Sequence, residues 1–388
     1  MIKTIKVMLL PNNKQRTKLF QSSNTARFAY NWALGYLQIN YEIGNDFLND
    51  GELRKIFTTL KKQDKYKWVN DYSNNITKQA IKDACNSYLR FFKKQSQFPR
   101  FKSKRKTRPS FYVDNVKIQF TETKVKLEKI SNSTRKNRVK ANWIRLAEHN
   151  RMPVNGKYLN PRVTFDGLNW WLSVGVECNE KSQQSTNKGV GIDIGIKDLA
   201  VCSDGYTYKN INKTAKVKSI KKKQRRLQRK MSKKYQLNKK GKEYQKTSNI
   251  IKSEKVLLNL NHKLTNIRRN HLHQSTAEIV NRKPMFIVLE DLNVSGMMKN
   301  KHLAKAVQEQ SFYEFYRQIE YKCKWNNVQF VVADRFFPSS KLCSCCGIVK
   351  KDLKLSHRTY TCSECGNTID RDYQASLNLA VYGEKLIA

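Results

Sequence analysis

The sequence predicts a mixed α/β protein of two domains, with a small zinc ribbon inserted into the second. Three observations point there. Strand patterns alternate with helical stripes along the chain, and a C-x2-C…C-x2-C cluster sits near its end. Three carboxylates also stand in separate apolar contexts: Asp193 in V-G-I-D-I-G, Glu290 in F-I-V-L-E-D-L and Asp372 in I-D-R-D-Y. A length of 388 residues suits two domains and leaves room for a small module. With 39% hydrophobic and 11% aromatic residues the chain can bury a core, which excludes global disorder.

The opening residues alternate as a strand. Ile2, Thr4, Lys6 and Met8 share one face, and Lys3, Ile5, Val7 and Leu9 the other. That apolar stretch is too short for a signal peptide and lacks a small-residue cleavage site. No run approaches the ~20 apolar residues of a membrane span. Residues 14–95 are rich in helix formers, and Phe28, Trp32 and Tyr36 recur in steps of four beside Ala33 and Leu37, which predicts helix. Residues 97–111, Q-F-P-R-F-K-S-K-R-K-T-R-P-S-F, read as an exposed loop. Its Phe98, Phe101 and Phe111 suit base stacking and core anchoring equally. R-V-T-F-D-G-L-N-W-W-L-S-V-G-V-E then predicts a hairpin turning at Asp166-Gly167.

Polar residues 179–188 read as an interdomain linker. Beyond them, G-V-G-I-D-I-G and L-A-V-C-S-D-G predict a second hairpin. Residues 216–242 hold 14 Lys/Arg and no acid, with Ile220, Leu227, Met231 and Tyr235 as a narrow helical stripe. A stronger helix carries Ile250, Leu257, Leu260, Leu264 and Ile267 and ends near Pro284. Residues 285–290 are apolar on both faces, as in a buried central strand. Residues 311–323 read as helix, 328–333 as strand, and A-S-L-N-L-A-V-Y as a short closing helix.

The chain carries 76 Lys+Arg against 31 Asp+Glu, a net charge of +45. Such an imbalance calls for a polyanionic partner. Fourteen cations without an intervening acid repel one another unless a polyanion lies alongside, so 216–242 is assigned to nucleic acid rather than to a solvated face. Binding should then weaken steeply with salt.

Phosphodiester hydrolysis needs hard oxygen ligands from several elements, holding two Mg²⁺ ions ~3.5–4 Å apart. Asp193 and Glu290 at strand ends and Asp372 at the start of the last helix supply such a set. In strand 189–195, Gly191, Asp193 and Gly195 share a face, and the glycines leave room for a ligand to approach the backbone. Each acid also has a plainer reading: Asp193 as a turn residue, Glu290 as a solvated or Lys-paired strand end, Asp372 as a helix-start charge with Asp370 as N-cap. Asp198, Asp204, Asp291 and Asp370 read as structural. The ordered combination makes a metal-dependent nuclease the leading expectation.

Five of the nine cysteines crowd into 343–365. The odd total and the C-x2-C spacing favour a reducing compartment and a metal site over disulfides. Cys343, Cys346, Cys362 and Cys365, with fifteen residues between the pairs, predict a closed and therefore structural four-thiolate Zn²⁺ site. Gly347 and Gly366 each follow a knuckle, and Cys345 is surplus by spacing.

These residues resemble the TnpB family, the RNA-guided nucleases encoded by bacterial insertion sequences and related to type V CRISPR effectors. The likeness is carried by F-P-R-F-K-S-K, G-I-D-I-G-I-K-D-L-A, L-E-D-L-N-V-S-G-M, R-F-F-P-S-S-K-L-C-S-C-C-G and R-T-Y-T-C-S-E-C-G…D-R-D-Y, with R-F-A-Y-N-W-A-L nearer the start. It implies an α/β RNase H-like (RuvC) nuclease domain over 188–336 and 368–388, interrupted by a zinc-ribbon module at 337–367 that binds target nucleic acid. It further implies an N-terminal β-barrel (wedge) domain over 1–13 and 96–180, carrying a helical recognition lobe at 14–95. The implied partners are a guide RNA from the element's end and double-stranded target DNA bearing a short motif that the protein reads.

The same resemblance favours one protein monomer per RNA, a cytoplasmic and nucleoid-associated setting, and no membrane partner. By motif match, Asp193, Glu290 and Asp372 take the Mg²⁺-ligand roles. The last motif departs from the family, with Gln374 and Ser376 where Asn and Ala are usual, and His357 replaces a usual Asp. The family's Asn at the position of Gln374 implies a role in placing the scissile strand. Two other readings stay open: a guide-dependent DNA-binding regulator, which loss of one acid would mark, and a guide-free RuvC-type transposase or resolvase, which the long basic N-terminal half disfavours.

Overall fold

The structure, a computed structural model, describes residues 1–130, 142–178, 186–241, 243–354 and 357–387. The chain forms two compact units, Met1–Asn179 and Glu180–Ala388. Their boundary falls within the expected linker 179–188, of which 179–185 lie outside the described residues.

In the first unit, strand β1 (Ile2–Leu10) leads through Asn12 into helix α1 (Asn13–Glu42). Asn12 and Gln15 cap each other's backbone reciprocally, satisfying two donors that the first turn leaves open. Helices α2 (Asp50–Leu60) and α3 (Asn74–Phe92) follow. The four-residue aromatic step marks α1 as helix, yet it is not the row that α1 buries. Ala26, Ala29, Ala33 and Leu37 are buried, while Tyr36 stays 39% exposed. Small side chains let α1 lie close along α3, so the larger rings are pushed to the flank, where Trp32 meets Phe57 at 4.8 Å and Phe28 stacks on Tyr66 at 5.8 Å.

Strands β2 (Ser110–Tyr112), β3 (Gln119–Phe120), β4 (Lys124–Lys126), β5 (Trp143–Leu146), β6 (Tyr158–Phe165) and β7 (Trp170–Glu177) join β1 in an antiparallel sheet of order β2-β6-β7-β1-β5-β4-β3. The β6–β7 hairpin turns at Asp166-Gly167, with Gly167 at φ 101° and Asp166 Oδ1 accepting from the backbone N–H groups of Leu168 and Asn169. The expected loop 97–111 ends in β2, where Phe111 pairs with Val163 as a core residue, and ahead of that strand Phe98 packs edge-on against Tyr88 and Phe91. Phe101, by contrast, is 55% exposed.

The second unit opens with the hairpin β8 (Val190–Asp193) and β9 (Asp198–Cys202), extended by β10 (Thr207–Lys209), which the sequence pattern did not reveal. The basic helix α4 (Ala215–Leu237) and a short ladder of β11 (Lys239–Lys240) with β12 (Glu243–Tyr244) precede the long helix α5 (Ser248–Asn281). Then come β13 (Phe286–Glu290), α6 (Val294–Met297), α7 (Ala304–Gln310), α8 (Phe312–Asn326) and β14 (Gln329–Ala333). The cysteine module holds the hairpin β15 (Thr359–Thr361) and β16 (Thr368–Asp370), and α9 (Arg371–Ile387) closes the chain.

The sheet order is β10-β9-β8-β13-β14, with β8, β13 and β14 parallel and β9 antiparallel to β8. Phe286, Ile287, Val288 and Leu289 are fully buried, because β13 is covered on both sides. Ile192, Ile287 and Leu289 meet α5 and α8 through Ile279, Phe315 and Ile319, while Phe286 and Val288 meet α9 through Leu379. The expected space beside Asp193 is corrected here. A Cβ on Gly191 would stand 2.2 Å from the Ser376 carbonyl oxygen and 2.4 Å from the Ala380 nitrogen. The backbone of α9, not a ligand, fills that space. On α4, Val217, Ile220 and Met231 are buried, while Lys223, Arg226, Arg229, Lys230 and Lys233 line a shallow basic groove. Among the described residues, no helix is long and apolar enough to cross a membrane.

Candidate active site

The register of β8 against β13 pairs Ile287 with Val190, Val288 with Gly191 and Leu289 with Ile192. Asp193 and Glu290 therefore leave adjacent parallel strands side by side, at their carboxyl ends. Open α/β sheets bind ligands in the crevice outside the carboxyl ends of their strands. Helix α9 adds Asp372 from its first turn, and Asp370 Oδ1 caps that turn by accepting from the Asp372 and Tyr373 N–H groups at 3.0 and 3.2 Å. One cavity of about 400 Å³ is lined by all three acids together with Phe336, Ser339, Lys341 and Arg371. The structure thus brings every sequence-predicted carboxylate to one place. Of the acids read as structural, Asp204 pairs with Arg282 at 3.0 Å, and Asp291 with Arg335 at 2.5 Å.

Burial, followed by the like charges of Glu290 and Asp372, holds the Asp193 carboxyl well above the ordinary carboxylate range, and Arg371 only partly opposes this. A divalent cation would relieve that repulsion, and hard carboxylate oxygens are suitable donors for Mg²⁺. Among the described residues, four cysteine sulfurs also gather, all within 4.8 Å of one another.

That cysteine cluster joins Cys343, Cys346, Cys362 and Cys365, with Cys343 and Cys365 sulfurs 3.6 Å apart and Cys346 and Cys362 sulfurs 3.5 Å apart. Gly347 and Gly366 take φ of 76° and 70°, closing each knuckle as the spacing predicted. Burial pushes the Cys343 thiol up, but the backbone N–H groups of Cys346 and Cys345 outweigh it and hold the thiol down at about 6. Tyr360 lies fully buried beneath the cluster. Cys345 is exposed and stands outside it.

Phe336, Lys341 and Arg371 of the cavity escaped the sequence reading, and so did Ser339 and Asn378. Ser339 donates from Oγ to Glu290 Oε1, and Asn378 donates from Nδ2 to the Ser339 and Leu342 carbonyls at 2.7 and 2.6 Å. The available signal was the P-S-S-K stretch just before Cys343. Gln374 is not among the residues that line the carboxylate cavity. It is fully buried, donating from Nε2 to the Leu342 carbonyl at 2.6 Å and accepting from Ser344 Oγ at 2.8 Å. The Ser376 hydroxyl is spent within α9, on the Tyr373 carbonyl at 2.7 Å.

Family models match successive stretches of the chain: a "Helix-turn-helix domain" of the OrfB_IS605 type over residues 1–46, the OrfB_IS605 "Probable transposase" over 173–301, and a "Cas12f1-like, TNB domain" over 312–379. Within 1–46 this chain forms β1 and the single helix α1. The "Putative RNA-guided DNA endonuclease InsQ" of Escherichia coli (strain K12) is 27% identical over 403 residues, covering 100% of this chain and 94% of its own. A "Putative RNA-guided DNA endonuclease" of Streptomyces pristinaespiralis is 28% identical over 392 residues, covering 98% and 89%. Among solved structures, the protein of the Cas12f1-sgRNA-target DNA complex shares the fold with a TM-score of 0.55 at 14% identity, over 98% of each chain.

Fold, cysteine module and matches together liken this chain to the OrfB_IS605 class of proteins. Within that class, the resemblance to the TnpB family read from the motifs is borne out.

Proposed function

We propose that this protein is an RNA-guided DNA endonuclease encoded by a bacterial insertion sequence, and that Asp193, Glu290 and Asp372 form its RuvC-type cutting site. The convergence of these three acids on one cavity, at the carboxyl ends of parallel strands, carries the reading. Two further observations support it. Relatives aligned along nearly the whole chain bear that name, and a net charge of +45 suits a protein that holds RNA and DNA together. On this reading 188–336 and 368–388 make the RNase H-like domain and 337–367 the target-binding ribbon. Residues 1–13 and 96–180 make the wedge barrel, and 14–95 the recognition lobe.

The three carboxylates would hold two Mg²⁺ ions, which when bound supply an activated water and counter-charge for the departing oxygen. The protein's own side chains place the strand. Lys341 and Arg371 bring positive charge for phosphates into the cavity, and Phe336, 88% exposed at its edge, offers a ring face to an unstacked base. The four thiolates would hold a structural Zn²⁺, since they leave no open coordination position. Guide pairing reads most of the target, while the protein reads a short adjacent motif and duplex shape. One monomer per RNA would act in the cytoplasm on nucleoid DNA.

The test is purification with co-expressed RNA, sequencing of that RNA, and incubation of the complex with matched duplex and Mg²⁺. The expected result is one defined RNA species and cut DNA. Bound RNA of random sequence would sink guidance, and guided binding without cleavage would sink the nuclease.

A further inference from the structure

The loop between β14 and the first cysteine knuckle belongs to two sites at once. Its Ser339, 5% exposed, lies 49 residues beyond Glu290 and donates its hydroxyl hydrogen to Glu290 Oε1. The same residue's carbonyl is held by Asn378 Nδ2 at 2.7 Å. Three residues on, the Leu342 carbonyl accepts from both Asn378 Nδ2 and Gln374 Nε2, each at 2.6 Å. Gln374 Oε1 in turn accepts from Ser344 Oγ at 2.8 Å. Leu342 and Ser344 flank Cys343, so α9 grips both sides of the first cysteine of the cluster.

Asn378 and Gln374 are 2% and 0% exposed, and buried amides are kept only where their hydrogen bonds are made. Such a network has one low-energy arrangement, because a partly broken one leaves polar groups stranded. It fixes the height of the loop, and the loop fixes Ser339. A carboxylate that must face a cation needs a partner setting its rotation, and outer partners of this kind govern metal affinity.

We propose that Ser339 is a positioning residue for Glu290, and that through it the four-cysteine module sets the geometry of the carboxylate site. The proposal rests on the reading of Asp193, Glu290 and Asp372 as a divalent-cation site. Gln374 and Asn378 are the rigid link, and the module's metal holds the knuckle that they grip. The four cysteines thus act on the cutting site although none of them lines it.

The measurement is Mn²⁺ binding by the purified protein–RNA complex, followed by electron paramagnetic resonance, with zinc content determined on the same samples. Ser339→Ala should weaken Mn²⁺ binding on the order of tenfold or more while keeping its full complement of zinc, and Ser339→Thr should restore it. Cys362→Ser, folded by circular dichroism, should weaken Mn²⁺ binding although no sulfur touches a carboxylate. Wild-type Mn²⁺ affinity in Ser339→Ala overturns the positioning role. Wild-type affinity in a zinc-depleted Cys362→Ser overturns the link to the module. Should Asp193→Asn bind Mn²⁺ like the wild type, the cation-site reading itself fails and the proposal falls with it, a result distinguishable from the other two.

Discussion

Asp193 is the residue where charge is hardest to keep. Between the ordinary value of 3.8 and its raised pKa, the folded protein holds a proton that the unfolded chain releases. Metal-free stability must therefore fall as pH climbs through that interval. A divalent cation takes only the carboxylate, so the stabilisation it brings should grow with pH over the same range. Thermal melts with and without Mn²⁺, from weakly acidic to neutral pH, check this, and Asp193→Asn should abolish the trend. Asp193→Ala is expected to end cleavage while salt-sensitive nucleic-acid binding persists; undiminished cutting would place the site elsewhere. At the cavity's edge, Phe336→Ala should raise KM for an unpaired strand about tenfold, with Phe336→Trp close to wild type, since stacking on one base contributes ~1–3 kcal/mol.

Among the elements, the seating of α9 on β8 determines the site. A glycine permits it, since a Cβ at Gly191 would strike the α9 backbone, and a second lets α9 approach β13, where a Cβ at Gly383 would reach the Phe286 ring at 2.3 Å. Gly191→Ala should lower stability by at least about 1–3 kcal/mol and carry Asp372 out of place, so both the melting temperature and cleavage should drop. The packing of α8 on α5 carries a different signature. Lys322 Nζ donates to the His273 carbonyl at 2.8 Å and Thr276 Oγ1 at 2.6 Å, and burial pushes its pKa from 10.5 down to about 8. Between those values the unfolded chain holds a proton that the folded chain has released, so stability should rise with pH there. Lys322→Met should flatten that rise in denaturant titrations.

Most of these elements were legible in sequence, because strand alternation, apolar runs and cysteine spacing are local signals. Asp193, Glu290 and the four cysteines could be found from their immediate neighbours. Ser339, Asn378 and the role of Gln374 could not. A serine and two amides acquire meaning only from partners 30 to 49 residues away, and no periodicity records such pairings. The glycine beside Asp193 was visible, but whether a ligand or a helix approaches it is a question of tertiary packing.

For the whole molecule, charge dominates. Changing Lys223, Arg226, Arg229, Lys230 and Lys233 of α4 to Gln should weaken nucleic-acid binding across sequences. If all five meet phosphates, it should also make the log–log salt dependence shallower by about 4–5. A fluorescence-anisotropy titration over a salt series measures both, and an unchanged slope would remove α4 from the interface. The order in which the parts are made has its own consequence. Asp193 is synthesised early in the second unit and Glu290 near its middle, but Asp372 and the helix that covers Gly191 belong to α9, made after the cysteine module. A nascent chain still lacking α9 has an uncovered sheet and two acids instead of three. On the ribosome the carboxylate site stays unassembled until α9 has been added, so a translation product interrupted before it would be released without the means to cut.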